Sequence, residues 1–318
     1  MLCKGVTGMT TQAILGIAGV LALTALAAAA ASAGRDDAGP PAVSVFEGDR
    51  LVLEYAFAGV PFKPYVRKFL SPAGVNVLRD RVPDHPHHHA LMFAVAVDGV
   101  DFWAETKANG FERHKSFADM KSLAPNSGLP AVLTETLDWV GPIDEKVLAR
   151  ERRTVRVHRG SAPGASLLTW RTQLSAPEGA ASIKLSGSHY FGLGLRFPAS
   201  MDNKAEFFTA RGPRDGEVVR GDETMVRGPW MACTGEVDGK PVTVAMFDSP
   251  ANVRPVLWFT MVKAFAYVSA TINLYREPLV VEAAKPLALT YGVAVWDGEQ
   301  KAEEIEKLYK QWIELAKK

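Results

Sequence analysis

Four of the seven histidines fall within five residues, in the run Asp84-His85-Pro86-His87-His88-His89. Imidazole is the side chain whose ordinary charge change lies nearest neutral pH, and it is the commonest metal ligand. Such a run therefore marks a candidate site for proton transfer, hydroxyl binding or metal coordination. In an extended chain successive side chains alternate, which would put His85, His87 and His89 on one face and His88 on the other. Three imidazoles on one face, with Asp84 or Glu105 nearby, could hold a divalent metal. His87 and His88 could instead donate a proton to a sugar oxygen or bind its hydroxyls, with no cofactor needed. A solvated, chemically idle block at a strand entrance is the plain alternative.

Three further stretches carry groups of the right kind. In Ser186-Gly187-Ser188-His189-Tyr190-Phe191-Gly192, glycines on either side of His189 allow close backbone approach, and Arg196 follows at the end of a strand, where it can bind a hydroxyl or carboxylate. Asp248, Asn252 and Arg254 converge in a proline-punctuated loop, and Trp258 beyond them could stack on the flat face of a sugar ring. An ordinary Asx turn with an exposed arginine is the competing reading of that loop. Lys63 and Tyr65, with Arg67, supply cations and a phenol close in sequence to the histidines. There is no G-x-S-x-G elbow, P-loop, H-E-x-x-H or dinucleotide fingerprint, which removes the hydrolase, kinase and dehydrogenase classes built on those motifs.

The elements that must position these groups read as strands. Leu91 to Val97 follows the histidines directly, and Val43 to Phe46 and Leu51 to Phe57 flank a turn at Glu47-Gly48-Asp49. Val237-Asp238-Gly239-Lys240 is a stronger hairpin signal, since Asp-Gly suits a type I′ turn, and Val242 to Phe247 follows it. Thr154 to His158, Leu167 to Leu174, Ser182 to Ser186, Leu193 to Phe197, Val256 to Thr260 and Leu287 to Val295 are further candidates, rich in β-branched and aromatic residues. Only residues 301–318 show a helical stripe, through Ile305, Leu308, Trp312 and Leu315. Many strands without βαβ alternation predict an all-β fold, a large antiparallel β-sandwich over residues 43–318 closed by an amphipathic C-terminal helix.

The first 33 residues have the form of an export signal, with Lys4, an apolar run from Ala13 to Ala30 and the ending Ala31-Ser32-Ala33; residues 34–42 read as a flexible leader. The stretch from Ala13 to Ala33 is long enough to serve as an uncleaved membrane anchor. Cleavage after Ala33 would remove Lys4 and leave 35 cations against 35 carboxylates, so nothing in the charge points to nucleic acid. It would also leave Cys233 as the single cysteine, with no partner for an internal disulfide.

Several blocks in order, KPYVRKFLSPAGVNVLRD, RVPDHPHHHALMFAVAVDGVDFW, SGSHYFGLGLRFPASMD, VAMFDSPANVRPVLWF and LALTYGVAVWDGE, resemble an exported bacterial family of unknown function often labelled "methane oxygenase PmoA". The chain departs from that pattern at His89 and Ala90, where the family usually has Arg and Gly, and at Ser249, where it tends to have His. The membrane subunit of particulate methane monooxygenase is polytopic, whereas this chain has no apolar span after its N-terminal segment, so methane oxidation is not the expected activity. The resemblance implies instead a galactose-mutarotase-like supersandwich with a sugar-binding cleft. A small-molecule ligand, a sugar, is then the expected partner. A metal-dependent enzyme and a catalytically silent binding module remain the alternatives. In that comparison the late carboxylates Glu277 and Glu282 are nominees for a catalytic base.

Overall fold

The computed structural model describes residues 41–83 and 85–317. The expected export signal and residues 34–40 of the expected leader lie outside the described residues. Two nine-stranded antiparallel sheets face each other. The first runs in the order Ala42–Glu47, Arg50–Ala56, Tyr65–Phe69, Leu91–Ala94, Gly192–Arg196, Tyr267–Thr271, Leu257–Met261, Glu223–Arg227, Glu217–Arg220. The second runs Gly212–Pro213, Glu206–Thr209, Trp230–Val237, Lys240–Asp248, Leu287–Asp297, Ala165–Ser175, Val147–Val157, Ala131–Val140, Phe111–Lys121. Alternating apolar residues from both inner faces, among them Leu53, Phe93, Leu133, Trp170, Val244 and Val293, form one core, as expected of packed sheets.

The expected sandwich is the observed one, and the Asp-Gly hairpin forms as the turn chemistry requires. Val237 pairs with Lys240, and Asp238 and Gly239 take φ of 51° and 74°. The expected strand Leu91 to Val97 divides at Val95. Leu91–Ala94 belongs to the first sheet, while Ala96–Val97 pairs with Ser182–Ser186 in a small four-stranded sheet. The charged edge strand Phe111–Lys121 was not evident from apolar pattern, because much of its outward face is solvated.

The helix Ala302–Ala316 packs on the outer face of the second sheet through Ile305, Leu308, Tyr309 and Trp312. A Cβ at position 292 would come within 2.7 Å of the Trp312 ring, so Gly292 lets that indole lie flat on the strand. Trp312 donates to Thr169 Oγ1 at 2.9 Å and Trp230 to Glu306 Oε2 at 2.8 Å, which ties the helix down by polar as well as apolar contacts. Cys233 is a free, buried thiol in this sheet.

A buried polar network crosses between the sheets. Arg153, fully enclosed, donates to Glu151 at 2.7 Å, Glu112 at 2.7 Å and the Pro64 carbonyl at 2.8 Å, and Trp139 donates to Glu151 at 2.9 Å. Tyr55 of the first sheet donates to Glu135 of the second. Burial first, offset by Arg153, pushes the Glu112 carboxyl up to about 8.

Candidate functional site

The histidine run occupies the strand His85–His89, paired with Asp80–Val82 through Asp80↔His89 and Val82↔His85. Five residues on one strand thus lie against three on the other, and this bulge breaks the period-two alternation. The expected face of His85, His87 and His89 does not form. The rings of His85, His87 and His88 gather instead, with His85 stacked on His88 at 4.8 Å and His87 edge-on to His88 at 4.6 Å. His89 turns away. Arg81, at the register shift between Asp80 and Val82, and Ala90, just past the strand, take φ of 51° and 41°, a left-handed backbone that non-glycine residues enter only at a cost.

His89 is 2% exposed and held by two carboxylates. Its Nδ1 lies 3.0 Å from Asp80 Oδ1, and its Nε2 lies 2.9 Å from Glu105 Oε1. Its ring stacks on Tyr65, whose hydroxyl donates to Asp80 at 2.7 Å. Lys63 completes the set, donating to Glu105 Oε1 at 2.6 Å and to the Trp103 carbonyl at 3.0 Å. Burial works against charge on His89, but its hydrogen bonds to Asp80 and Glu105 prevail and hold its pKa above the usual value. Burial likewise opposes the Glu105 carboxylate, and His89 and Lys63 together bring it below its ordinary range. Lys63, Tyr65 and His89 therefore belong to a hydrogen-bonded polar layer in the interior, with none of the three lining the cleft.

The other three histidines line an open cleft of about 400 Å³ together with Trp103, Tyr190, Phe259, Phe265 and Tyr267. Its remaining wall is the turn Arg220-Gly221-Asp222-Glu223 of a hairpin at the edge of the first sheet. Tyr267 stacks on His88 at 5.3 Å, and its hydroxyl points back against the sheet, where a Cβ on Gly194 would fall 1.7 Å from it. His88 Nδ1 and Trp103 Nε1 are buried with no hydrogen-bond partner among the described residues. A buried polar atom left unpaired costs about 1 to 3 kcal/mol, and both residues line the cleft.

Burial and the neighbouring His87, His85, Arg196 and Lys63 push the His88 pKa down to about 2. His87 is lowered by the same burial and by Lys63. Both rings are neutral at neutral pH, and because burial disfavours their protonation they suit hydroxyl binding better than proton transfer.

Opposite them Glu223 accepts from Arg220 Nη2 at 2.6 Å and contacts His189 Nε2 at 3.0 Å. His189 thus sits behind the cleft carboxylate, with Ser188 Oγ 3.3 Å from its Nδ1. Asp222 is fixed by the Val262 and Lys263 backbone N–H groups at 2.6 and 2.8 Å, which overcome its burial and hold its carboxyl below the usual range.

The structure moves several expected site residues elsewhere. Arg196 is buried, its guanidinium 3.6 Å from the centre of the Phe265 ring, and that ring meets His85 and His88 edge-on. Asp248 accepts from Asn252 Nδ2 at 2.7 Å and from the Val256 N–H at 3.0 Å, and Asn252 Oδ1 accepts from Thr290 N–H at 2.7 Å. Burial raises the Asp248 carboxyl to about 6. These side chains brace the loop through partners farther along the chain than an Asx turn reaches. Ser249 caps the same turn, accepting from the Ala251 N–H at 3.3 Å. Arg254 holds the Ile272 and Glu277 carbonyls at 3.3 and 2.9 Å, and Trp258 is fully buried and donates to the Gly228 carbonyl at 2.8 Å. None of these lines the cleft, and Glu277 and Glu282 are exposed away from it. The cleft carboxylates are Asp222, held by backbone N–H groups, and Glu223; the sequence does not flag them, because acids in an Arg-Gly-Asp-Glu turn carry no motif.

A model of the family described as "Family of unknown function (DUF6807)" matches residues 42–310. No curated protein matches the sequence. Among solved structures, the GH36 alpha-galactosidase AgaB from Geobacillus stearothermophilus superposes with a TM-score of 0.50 and 11% identity, over 85% of this chain and 41% of that one. The AgaA A355E enzyme of the same organism, in complex with 1-deoxygalactonojirimycin, gives 0.50 and 10% over 85% and 42%. A Klebsiella pneumoniae subsp. pneumoniae MGH 78578 protein named after aldose 1-epimerase aligns over 85% of this chain and 78% of its own at 10% identity, with a TM-score of 0.35 that adds nothing to the fold assignment. The chain spans less than half the length of the alpha-galactosidases it matches, and the likeness is one of fold.

Proposed function

The chain belongs to the DUF6807 family of unknown function, and from that premise we propose an exported protein that binds or processes a sugar in the cleft between His88 and Glu223. The observation that carries this reading is the pair of unpartnered buried atoms, His88 Nδ1 and Trp103 Nε1, set among aromatic walls. A sugar ring offers what such a surface lacks, hydroxyls for the two nitrogens and a flat C–H face for the indole and phenol rings. Where a proton is moved, Glu223 is the carboxylate that accepts it, and His87 is the neutral imidazole on the facing wall. The solved alpha-galactosidases of like fold, one of them bound to 1-deoxygalactonojirimycin, lend support at the level of fold. Export rests on the N-terminal apolar segment and its Ala31-Ser32-Ala33 ending.

Calorimetric titration and turnover assays against a panel of methyl glycosides and oxidised sugars test the reading. Saturable binding that is lost in His87→Ala and His88→Ala, with Glu223→Gln removing turnover if there is any, is the expected result. Normal binding in both histidine variants would overturn the site. Metal content of the purified protein tests the alternative centre on His85, His87 and His89. That centre would require His89 to give up a carboxylate partner at one of its two nitrogens.

A further inference from the structure

Tyr275 is an aromatic side chain 53% exposed, beside a cleft whose other rings are mostly enclosed. Its ring centroid lies 5.7 Å from that of His189, with the planes at 73°. His189 in turn meets Tyr190 at 5.1 Å and Phe259 at 5.4 Å, and both of those line the cleft. The imidazole thus lies between the cleft rings on one side and an outward-facing phenol on the other.

The backbone that carries Tyr275 is fastened at both flanks. Asn273 takes φ of 58°, its carbonyl accepts from the Arg276 and Glu277 N–H groups at 3.2 and 2.9 Å, and its Nδ2 donates to Glu277 Oε1 at 3.0 Å. Arg254 grips the turn from one side through Ile272 and Glu277. From the other, Arg276 makes a two-pronged pair with Glu217, on the strand that leads into the cleft turn at Arg220. A bidentate pair of this kind fixes direction as well as distance. The Tyr275 hydroxyl has no hydrogen bond among the described residues, so the brace holds the turn while the ring, which meets His189, stays half-exposed.

We propose that Tyr275 is the platform of a second subsite, on which a flat aglycone or a second sugar ring stacks while the first ring occupies the cleft between His88 and Glu223. This rests on the sugar-binding reading of the cleft and narrows it, from a free monosaccharide to a glycoside whose substituent projects past His189. It also gives Arg254 a part in recognition at one remove, as the residue that positions the turn.

The test compares matched methyl and p-nitrophenyl glycopyranosides by calorimetry on the full chain, in wild type, Tyr275→Ala and Tyr275→Phe. The aryl glycoside should bind about three- to tenfold more tightly than its methyl partner, in keeping with the usual worth of aromatic stacking. That advantage should vanish in Tyr275→Ala and persist in Tyr275→Phe, with the methyl glycoside affinity unmoved in both. Equal affinities in the wild type would overturn the second subsite while leaving the cleft reading intact, as would an aryl advantage that survives Tyr275→Ala or a loss shared equally by both ligands. Failure of every methyl and aryl glycoside to bind would overturn both.

Discussion

His89 and Glu105 form a buried pair in which the imidazole Nε2 lies 2.9 Å from one carboxylate oxygen and 3.1 Å from the other. Removing the ring leaves Asp80 and Glu105 as buried acids that have lost a partner, so His89→Ala should cost about 3 to 5 kcal/mol in urea unfolding at pH 6. The pH dependence has a definite sign. The folded pKa of His89 is raised above its unfolded value, so its contribution is complete below about pH 6.5 and fades as pH rises through the folded value. The difference between wild type and variant should therefore shrink on the alkaline side.

His88 behaves in the opposite sense. Its folded pKa of about 2 lies below the unfolded value, so the stability that it contributes as a neutral ring is present above about pH 6.5 and lost as the pH falls. In His88→Gln that loss is absent. The stability of wild type relative to this variant should decline by up to about 1.4 kcal/mol per pH unit between pH 6 and pH 4, read from urea midpoints. Equal slopes in the two proteins would mean that the ring is hydrated in solution.

The network at Arg153 predicts an asymmetry between its members. Glu112 has its pKa raised to about 8 and one buried carboxyl oxygen with no partner among the described residues, so it carries a proton at pH 7 and Glu112→Gln should cost less than about 1 kcal/mol. Arg153→Met strands Glu151 in the core and should cost about 3 to 5 kcal/mol. Thermal denaturation of the two variants side by side checks the contrast.

Ala90 occupies a left-handed backbone at φ 41°, where the resembling family usually has glycine. Ala90→Gly should therefore stabilise the protein by up to about 1 kcal/mol, since strain relieved in the folded chain outweighs the added freedom of the unfolded one. An unchanged or lower denaturation midpoint would show that the strain is compensated by the buried methyl.

The sandwich was legible because its signals are local. Val242 to Phe247 after Asp-Gly, or Ser182 to Ser186 between turn residues, needs no partner to be recognised as strand, and the stripe Ile305, Leu308, Trp312 declares a helix face. The site was legible only in part. His87 and His88 stood out by composition, but their faces could not be read, because a bulge depends on the pairing partner Asp80–Val82 and not on the run itself. Asp248, Asn252, Arg254 and Trp258 have the chemistry of a sugar site and are consumed by backbone carbonyls and N–H groups that only the fold brings near. Glu223 was invisible for the converse reason, since its significance comes from His189, 34 positions away.

Lys63 reaches the Trp103 main-chain oxygen, so the segment that presents the indole to the cleft is fastened to the same interior charges that hold His89. Occupancy of the cleft and resistance to heat are consequently coupled quantities in this molecule. A compound that satisfies the indole N–H binds the folded chain and has no equivalent site on the unfolded one. At a hundredfold excess over its dissociation constant it adds about 2.7 kcal/mol to the unfolding free energy. A melting-temperature screen of a sugar library thus tests the proposed ligand class before any reaction is known, and Trp103→Phe supplies the blank against which each shift is read.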